Sequence, residues 1–305
     1  MYEKCILQGY YDKIDINLYL RFERWIYNSM YKLVCIDMDG TLLNKYHEVS
    51  EENKKALKEA TDLGVNIAIS TGRIFASARI YAKITGIKAP LICSNGAYIR
   101  GKDTDEVIFK SVLNREALDK IYEVIKKHKF LAYFDTPYGI ISDTKIPEDD
   151  SHRVMNEWVD IDEQIKFYEV DDFRDAFKEY ESDILKLIII EDEDSSTIKD
   201  AKEDIDKLSD YVDIAYSWGG CAELTAKGTS KGSAVKILAK KLGIKKEEIM
   251  CIGDSGNDLS MLKEAGFSVV MDNASEEIKK YADYITGTNE NSGVAKAIDK
   301  FILKI

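Results

Sequence analysis

The sequence has few of the residues that build disulfide frameworks and zinc sites. Its 305 residues include five cysteines, three histidines and three prolines. The cysteines form no CxxC pair, and the histidines are too widely spaced for a metal-ligand motif, so a zinc site or a histidine-based triad is not supported. Several cysteines lie within short apolar runs, which indicates small buried residues in a reducing compartment. The residues concerned are Cys5, Cys35, Cys93, Cys221 and Cys251, with His47, His128 and His152.

Long apolar runs are also missing. No segment approaches the roughly 20 apolar residues of a membrane-spanning helix, and the charged N-terminus does not resemble a secretory signal. We therefore expect a cytoplasmic protein with no membrane partner. The net charge of -12 argues against nucleic acid as a partner, because a phosphate backbone requires compensating lysine and arginine. An anionic substrate stays possible, since a bound cation can reverse the local field.

Short apolar runs alternate with amphipathic segments from Met30 onward. A strand is predicted at 31–36, followed by a helix at 50–63 that Ser50 can cap, and the alternation resumes at 230–271. Nearly continuous apolar strands that alternate with helices are typical of a parallel sheet covered on both faces. The pattern predicts an α/β fold with a doubly wound, Rossmann-like core.

The middle of the chain has a different pattern. A helix, a hairpin around Asp135–Gly139 and further strands at 186–190 and 211–215 predict a small α+β unit. We assign residues 113–215 to an inserted cap domain, and residues 30–112 and 216–305 to the core. Residues 1–29 are an N-terminal extension, either without a functional role or serving packing or dimerisation.

Polar residues follow four of the predicted core strands. Asp37-Met-Asp-Gly-Thr41 follows the first strand, and the others are followed by 70–73, 94–96 and 253–258. Ligands bind beyond the carboxyl ends of the strands in a doubly wound sheet. The pattern D-x-D-G-T is expected by chance in about one chain in five hundred of this length. The convergence indicates a functional site at this edge.

Magnesium suits the acidic residues at these strand ends. Asp37 and Asp39 are two residues apart, so an extended backbone points both to one side. Two neighbouring carboxylates repel unless a cation lies between them or one is protonated. Asp254 at another strand end would complete a set of oxygen ligands for Mg²⁺.

Four motifs together resemble the haloacid dehalogenase superfamily, and specifically its Cof-type phosphatases with a C2B cap. The resemblance runs from about Met30 to the C-terminus. It rests on 37–41, on Thr71-Gly72-Arg73, on Lys231 in 229–232, and on Gly253-Asp-Ser-Gly-Asn-Asp258.

The resemblance implies a role for each motif residue. Asp37 would attack phosphorus and form an aspartyl phosphate, while Asp39 would act as general acid and base, which requires a raised pKa. The implied Mg²⁺ ligands and phosphate-binding residues form a larger set. Mg²⁺ would be held by Asp37, the main-chain carbonyl of Asp39 and Asp254, with Asp258 in support, and phosphate by Thr71, Gly72, Lys231 and Asn257.

Some positions are open to more than one interpretation. Arg73 could contact substrate or pair with a carboxylate, and Asn95 could contact substrate or shape a turn. The family often has Met-Gly-Asn-Ala where this chain has Met271-Asp-Asn-Ala274. Asp272 would then add negative charge to a loop near the site. Because this loop departs from the family pattern, the resemblance does not assign a role to Asn273.

Two other functions share much of this chemistry. A phosphomutase or phosphotransferase would pass the phosphoryl group to another molecule instead of water, and the motifs hardly distinguish it from a phosphatase. A receiver-like signalling module also carries a phosphorylated aspartate, but it is far shorter and lacks the second aspartate. We expect a small phosphorylated metabolite as substrate, of the sugar phosphate, pyridoxal phosphate or flavin mononucleotide type. Aromatic residues of the cap could stack on it: Tyr133, Tyr138, Trp158 and Trp218.

Overall fold

The computed structural model describes residues 31–101, 106–192, 195–216 and 220–304. The predicted extension at 1–29 lies outside these residues. The described chain forms two β-sheets, one of eight strands and one of six. Among the described residues, no helix combines the length and the apolar character that crossing a membrane would require.

The first sheet contains a parallel core. Its order is β14-β13-β12-β1-β2-β3-β4-β5, with parallel pairing from β14 to β3 and antiparallel pairing of β4 and β5 at one edge. Every residue of β1 and β12 is buried, because helices cover both faces of the sheet. The strands are β1 Leu33–Asp37, β2 Asn66–Ser70, β3 Pro90–Cys93, β4 Tyr98–Gly101, β5 Val107–Lys110, β12 Ile249–Gly253, β13 Phe267–Val270 and β14 Tyr284–Ile285.

The core helices begin where the sequence predicts. Ser50 caps α1 by accepting a hydrogen bond from the Asn53 amide, and Ser230 caps α7 in a reciprocal arrangement with Ser233. The caps supply partners for main-chain N–H groups that have none inside a helix. The helices between core strands are α1 Glu51–Asp62, α2 Phe75–Thr85, α7 Lys231–Leu242, α8 Leu259–Glu264, α9 Glu276–Lys279 and α10 Gly293–Ile298.

The second sheet is formed by the inserted part of the chain, in the order β10-β11-β9-β6-β7-β8. Its helices contribute a separate apolar cluster that includes Phe134, Phe173 and Phe177. The elements are α3 Arg115–His128, β6 Leu131–Asp135, β7 Gly139–Ser142, α4 Ser151–Asn156, β8 Lys166–Glu169, α5 Phe173–Glu179, β9 Lys186–Ile190, α6 Lys202–Lys207, β10 Val212–Tyr216 and β11 Cys221–Ala226.

One strand of this sheet lies beyond the predicted cap. The sequence interpretation ended the cap at 215, but β11 pairs with both β9 and β10. The second sheet therefore extends to Ala226. The assignment of this unit as a cap domain stays an interpretation, while the predicted α/β class with a parallel-sheet core is confirmed.

Candidate active site

The acidic residues of the site meet because β1 and β12 are neighbours. The two strands run parallel, with Ile36 opposite Ile252, so their carboxyl ends lie at the same edge. Asp37 ends β1, and Asp254 follows β12 directly. Carboxylate oxygens of Asp37, Asp254 and Asp258 all lie within 4.8 Å of one another. This set of hard oxygen donors fits a divalent cation such as Mg²⁺.

Lys231 supplies positive charge to this group from the first turn of α7. Its side chain is 1% exposed, and its ammonium lies 2.6 Å from Asp37 Oδ1 and 2.7 Å from Asp258 Oδ1. Burial lowers the pKa of Lys231, but the charges of Asp258 and Asp37 outweigh it and the net shift is upward. The lysine therefore stays charged between the two carboxylates.

Asp37 is destabilised as an anion in this environment. Burial raises its pKa, the charge of Asp258 raises it further, and Lys231 offsets only part of the effect. Three carboxylates around one ammonium leave an excess of negative charge. A cation bound among them would relieve the repulsion.

Asp258 orders the loop that follows β12. One of its carboxylate oxygens, Oδ2, accepts hydrogen bonds from the Asp254 and Ser255 amides, both at 3.0 Å. The other, Oδ1, faces Lys231. Asp254 is held from the opposite side by the hydroxyl of Thr41, which donates to it at 2.7 Å. The D-x-D-G-T motif and the acidic motif at 253–258 are therefore in direct contact.

Asp39 pairs with Arg73. The guanidinium donates to both carboxylate oxygens, at 2.6 and 2.7 Å, and stacks on the ring of Tyr81 at 4.6 Å. Burial raises the pKa of Asp39, but the hydrogen bonds and charge of Arg73 lower it more, and the net shift is downward. The expectation of a raised pKa is wrong for this conformation, because a cation rather than a carboxylate is its nearest partner. Arg73 therefore pairs with a carboxylate here, which is one of its two predicted roles, and its contact with substrate stays a prediction.

The predicted phosphate-binding residues lie beside the acidic group. Thr71 is buried, and its hydroxyl accepts a hydrogen bond from the Arg73 amide. Asn257 donates to Asn95 Oδ1 at 3.3 Å. A Cβ on Gly72 would lie 3.1 Å from the same oxygen. The ends of β2, β3 and β12 therefore converge, as the sequence predicts.

The loop that contains Asp272 contacts the D-x-D-G-T segment through the next residue, Asn273. Asp272 is 59% exposed and pairs with Lys279 at 3.2 Å. Asn273 donates to the carbonyl of Gly40 at 2.8 Å and accepts from the Asn289 amide at 3.1 Å. Asn273 thus supports the loop that carries Asp39, while Asp272 is directed toward α9.

A cavity of about 600 Å³ lies between the two sheets, and Asp37 and Asp39 line it. The second sheet and α4 line one half of it. That half includes side chains that the sequence interpretation missed: Asp135, Asp150, His152, Lys186 and Glu223. A signal for two of them was available, because Lys186 and Glu223 are charged residues within otherwise apolar strands (KLIII and CAELTA).

Lys186 connects the second sheet to the first. Its ammonium lies 2.8 Å from Glu223 and 3.3 Å from Asp135, and it donates to the carbonyl of Gly72 at 2.6 Å. Glu223 also accepts from Asn95 at 2.7 Å. A buried charged network therefore spans the cavity and ends at the predicted phosphate loop.

Only some of the predicted aromatic contacts are placed at the cavity. Tyr133 lines it. Tyr138 packs on Phe75 with ring centroids 5.8 Å apart, and Trp158 packs on Tyr81 at 6.2 Å. Trp218 lies outside the described residues. Tyr133 is therefore the candidate for stacking on a substrate.

Comparison with known proteins identifies the class. A family model described as haloacid dehalogenase-like hydrolase matches residues 34–298. The chain therefore belongs to this family, and the resemblance to its Cof-type members is confirmed. The predicted enzyme class, a phosphoric monoester hydrolase of this family, is confirmed with it.

Particular relatives are similar over nearly their whole length. The chain is 33% identical to the 5-amino-6-(5-phospho-D-ribitylamino)uracil phosphatase YcsE of Bacillus subtilis, covering 89% of this chain and 96% of the relative. It is 34% identical to the putative phosphatase YxeH of the same organism, covering 90% and 99%. A solved haloacid dehalogenase-like hydrolase from B. subtilis superposes with a TM-score of 0.77 at 31% identity, covering 89% of this chain and 100% of that chain. The HAD subclass IIB sugar phosphatase BT4131 superposes with a TM-score of 0.72 at 26% identity, covering 88% and 98%.

Proposed function

We propose that the protein is a Mg²⁺-dependent phosphatase that hydrolyses small phosphate monoesters through an aspartyl phosphate on Asp37. The observation that carries the proposal is the position of Asp37. It ends a buried strand, faces Lys231 at 2.6 Å, belongs to the acidic group and lines the cavity. A nucleophilic carboxylate, a cation site and space for an ester thus coincide.

The residues fit a magnesium ion by their chemistry. Asp37, Asp254 and Asp258 gather carboxylate oxygens within 4.8 Å, and the main-chain carbonyl of Asp39 is the further ligand that the family resemblance implies. When bound, Mg²⁺ would offset the repulsion between the anionic nucleophile and the phosphate. The upward shift of the pKa of Asp37 is consistent with a carboxylate that is stable as an anion only beside a cation.

The chain's own residues would perform two displacements at phosphorus. A carboxylate oxygen of Asp37 forms a bond to phosphorus as the ester bond breaks, and Asp39 gives its proton to the leaving alkoxide. Asp39 then takes a proton from water as the water oxygen attacks phosphorus. The bond between phosphorus and Asp37 breaks, which frees inorganic phosphate and restores the Asp37 carboxylate. Asp39 must release Arg73 and take up a proton from solvent before the first step, because Arg73 occupies both of its oxygens and lowers its pKa.

The phosphoryl oxygens would be bound by groups already assembled beside Asp37. Lys231 supplies charge, and Thr71 and Asn257 supply a hydroxyl and an amide. The contacts of Thr71 and Asn257 with neighbouring residues hold both side chains in place before substrate binds. Such preorganisation favours the transition state over the free ester.

The test is phosphate release from a panel of small phosphate esters, with Mg²⁺ or with EDTA, by the native protein and Asp37→Asn. We expect release that requires Mg²⁺ and is lost in the variant. A matched control is Asp62→Asn, an aspartate at the end of α1 that pairs with Lys58 on the surface. Activity that survives Asp37→Asn would overturn the assignment of the nucleophile.

A further inference from the structure

The half of the cavity formed by the second sheet and α4 carries an excess of acidic groups. The whole cavity is lined by five carboxylates, those of Asp37, Asp39, Asp135, Asp150 and Glu223, against Arg73, Lys186 and His152. Asp37 and Asp39 belong to the predicted phosphate chemistry. Three carboxylates, one lysine and one histidine therefore remain to surround the rest of a bound ester.

The lysine in this half has no N–H group to spare. The ammonium of Lys186 has three donors, and three acceptors surround it: Glu223 at 2.8 Å, Asp135 at 3.3 Å and the Gly72 carbonyl at 2.6 Å. Its side chain is 1% exposed. An incoming anion would have to displace a buried carboxylate, which leaves an unpaired buried charge and strongly disfavours binding.

The other basic residues of the cavity are paired as well. Both oxygens of Asp39 accept hydrogen bonds from Arg73, and the ring Nδ1 of His152 lies 3.2 Å from Asp150 Oδ1. Each basic side chain that lines the cavity therefore has a carboxylate partner. A second anionic group on the substrate meets carboxylates without a spare cation.

Much of the remaining wall is apolar. The apolar part includes Tyr133 and isoleucines of the second sheet and its loops, namely Ile140, Ile146, Ile188 and Ile190, while Ser151, Ser255 and Asn257 also line the cavity. Carboxylates accept hydrogen bonds from hydroxyl and N–H groups. An apolar wall with acceptors at its edge fits an uncharged molecule that carries hydroxyl or N–H donors and a flat or apolar portion.

We propose that the cavity selects phosphate esters whose leaving alcohol carries no second anion and bears hydroxyl or N–H donors, and that Asp135, Asp150 and Glu223 enforce this selection. The inference rests on the proposed function. It excludes bisphosphates and phosphorylated carboxylic acids as good substrates. The selection is electrostatic, since like charges placed together in a desolvated site repel strongly.

Two pairs of esters that differ mainly in one carboxylate test the selection: glycerol 3-phosphate against 3-phosphoglycerate, and glucitol 6-phosphate against gluconate 6-phosphate. With Mg²⁺ present, we expect kcat/KM to be at least about tenfold higher for the member of each pair that lacks the carboxylate. Equal or higher kcat/KM for the carboxylated members would overturn the inference.

Asp150→Asn removes one of the three carboxylates while keeping the helix cap, because asparagine also caps well and can accept the bond from the His152 amide. We expect the ratio between the pair members to fall severalfold. Asp149→Asn is the matched control, since Asp149 is the exposed neighbour and is not among the residues that line the cavity. A ratio that falls equally in both variants, or in neither, counts against the inference.

Binding separates this inference from the proposed function. Calorimetric titration of the Asp37→Asn protein with each ester in Mg²⁺ measures charge selection without turnover. Tighter binding of the esters that lack the carboxylate, together with no hydrolysis by the native protein, would overturn the proposed function alone. Tighter or equal binding of the carboxylated members, or no binding of any ester, would overturn the inference.

Discussion

The ammonium of Lys231 lies 2.6 Å from the carboxylate of Asp37, across 194 residues of sequence and within the buried centre of the site. The same ammonium contacts Asp258. One cation thus neutralises part of the charge on two carboxylates from different strand ends. Its removal would leave three close carboxylates without a permanent counter-charge.

Lys231→Met should therefore abolish activity and destabilise the fold. Breaking a buried ion pair by removing one partner costs about 3–5 kcal/mol, and losing one group that stabilises developing charge costs at least about a hundredfold in kcat. Urea denaturation and phosphate release measure the two effects. Lys231→Arg serves as a second variant that keeps the charge if the methionine variant does not fold.

Lys236→Met is the control for this prediction. Lys236 lies on the same helix, is 71% exposed and pairs with Glu264 at 3.3 Å. A surface pair contributes at most about 1 kcal/mol, so stability and activity should stay close to those of the native protein. Equal losses in the two variants would show that the buried position of Lys231 has no special role.

Stability without metal should depend on pH through Asp254. Burial raises its pKa to about 6, opposed by the hydrogen bond from Thr41 and assisted by Asp258. The folded state then holds its proton to a higher pH than the unfolded chain does. The contribution of the Asp254 carboxyl group to the free energy of unfolding is therefore lost as pH rises from about 4 toward 6.

Asp254→Asn removes this dependence. In EDTA, we expect the variant to be more stable than the native protein at pH 7.5, by about 3 kcal/mol, and to show no such gain at pH 4. Denaturation in urea at the two pH values measures this. In Mg²⁺ the order should reverse, because ligand binding stabilises only the protein that binds it. The same gain at both pH values would contradict the assigned shift.

Gly40 is predicted to be intolerant of a side chain. Its φ of +80° is left-handed, and a Cβ would lie 2.5 Å from Asp254 Oδ2. Gly40→Ala should displace this carboxylate, so that activity falls at least about tenfold and Mg²⁺ no longer raises the melting temperature.

Gly228→Ala provides a matched comparison. Gly228 has the same φ of +80° but nothing within 4 Å of the added Cβ. Both variants pay about 1–2 kcal/mol of backbone strain, and only Gly40→Ala perturbs the site. Loss of the Mg²⁺ response in Gly228→Ala as well would attribute the effect to strain alone.

Asn273→Ala should weaken the support of the D-x-D-G-T loop. It removes the hydrogen bonds to the Gly40 carbonyl and from the Asn289 amide, each worth about 1 kcal/mol. We expect lower stability and a several-fold lower kcat, measured by denaturation and steady-state kinetics. Asp272→Asn, at the exposed neighbour, should change kcat by less than twofold; a larger effect there would assign the loop's influence to its charge.

Much of the core could be predicted from local sequence. Apolar runs locate β1 and β12, and Ser50 and Ser230 locate helix starts, because burial periodicity and capping act over a few residues. The convergence of Asp37 and Asp254 also follows from sequence, since carboxyl ends of parallel strands share one edge, whereas Lys231 was assigned to the site by the family resemblance. The strand β11 was missed because Glu223 interrupts its apolar pattern.

Strand burial, helix caps and the topology of parallel sheets are enough to predict the class of fold and the strand ends that meet at the carboxyl edge. The partners within the site are set by tertiary packing. The pairing of Asp39 with Arg73 depends on how the loops after β1 and β2 meet, and the contact of Lys186 with Gly72 across 114 residues depends on how the two sheets pack together. Side chains so far apart in sequence leave no local periodicity, and their pKa shifts arise from burial and neighbours that exist only after packing.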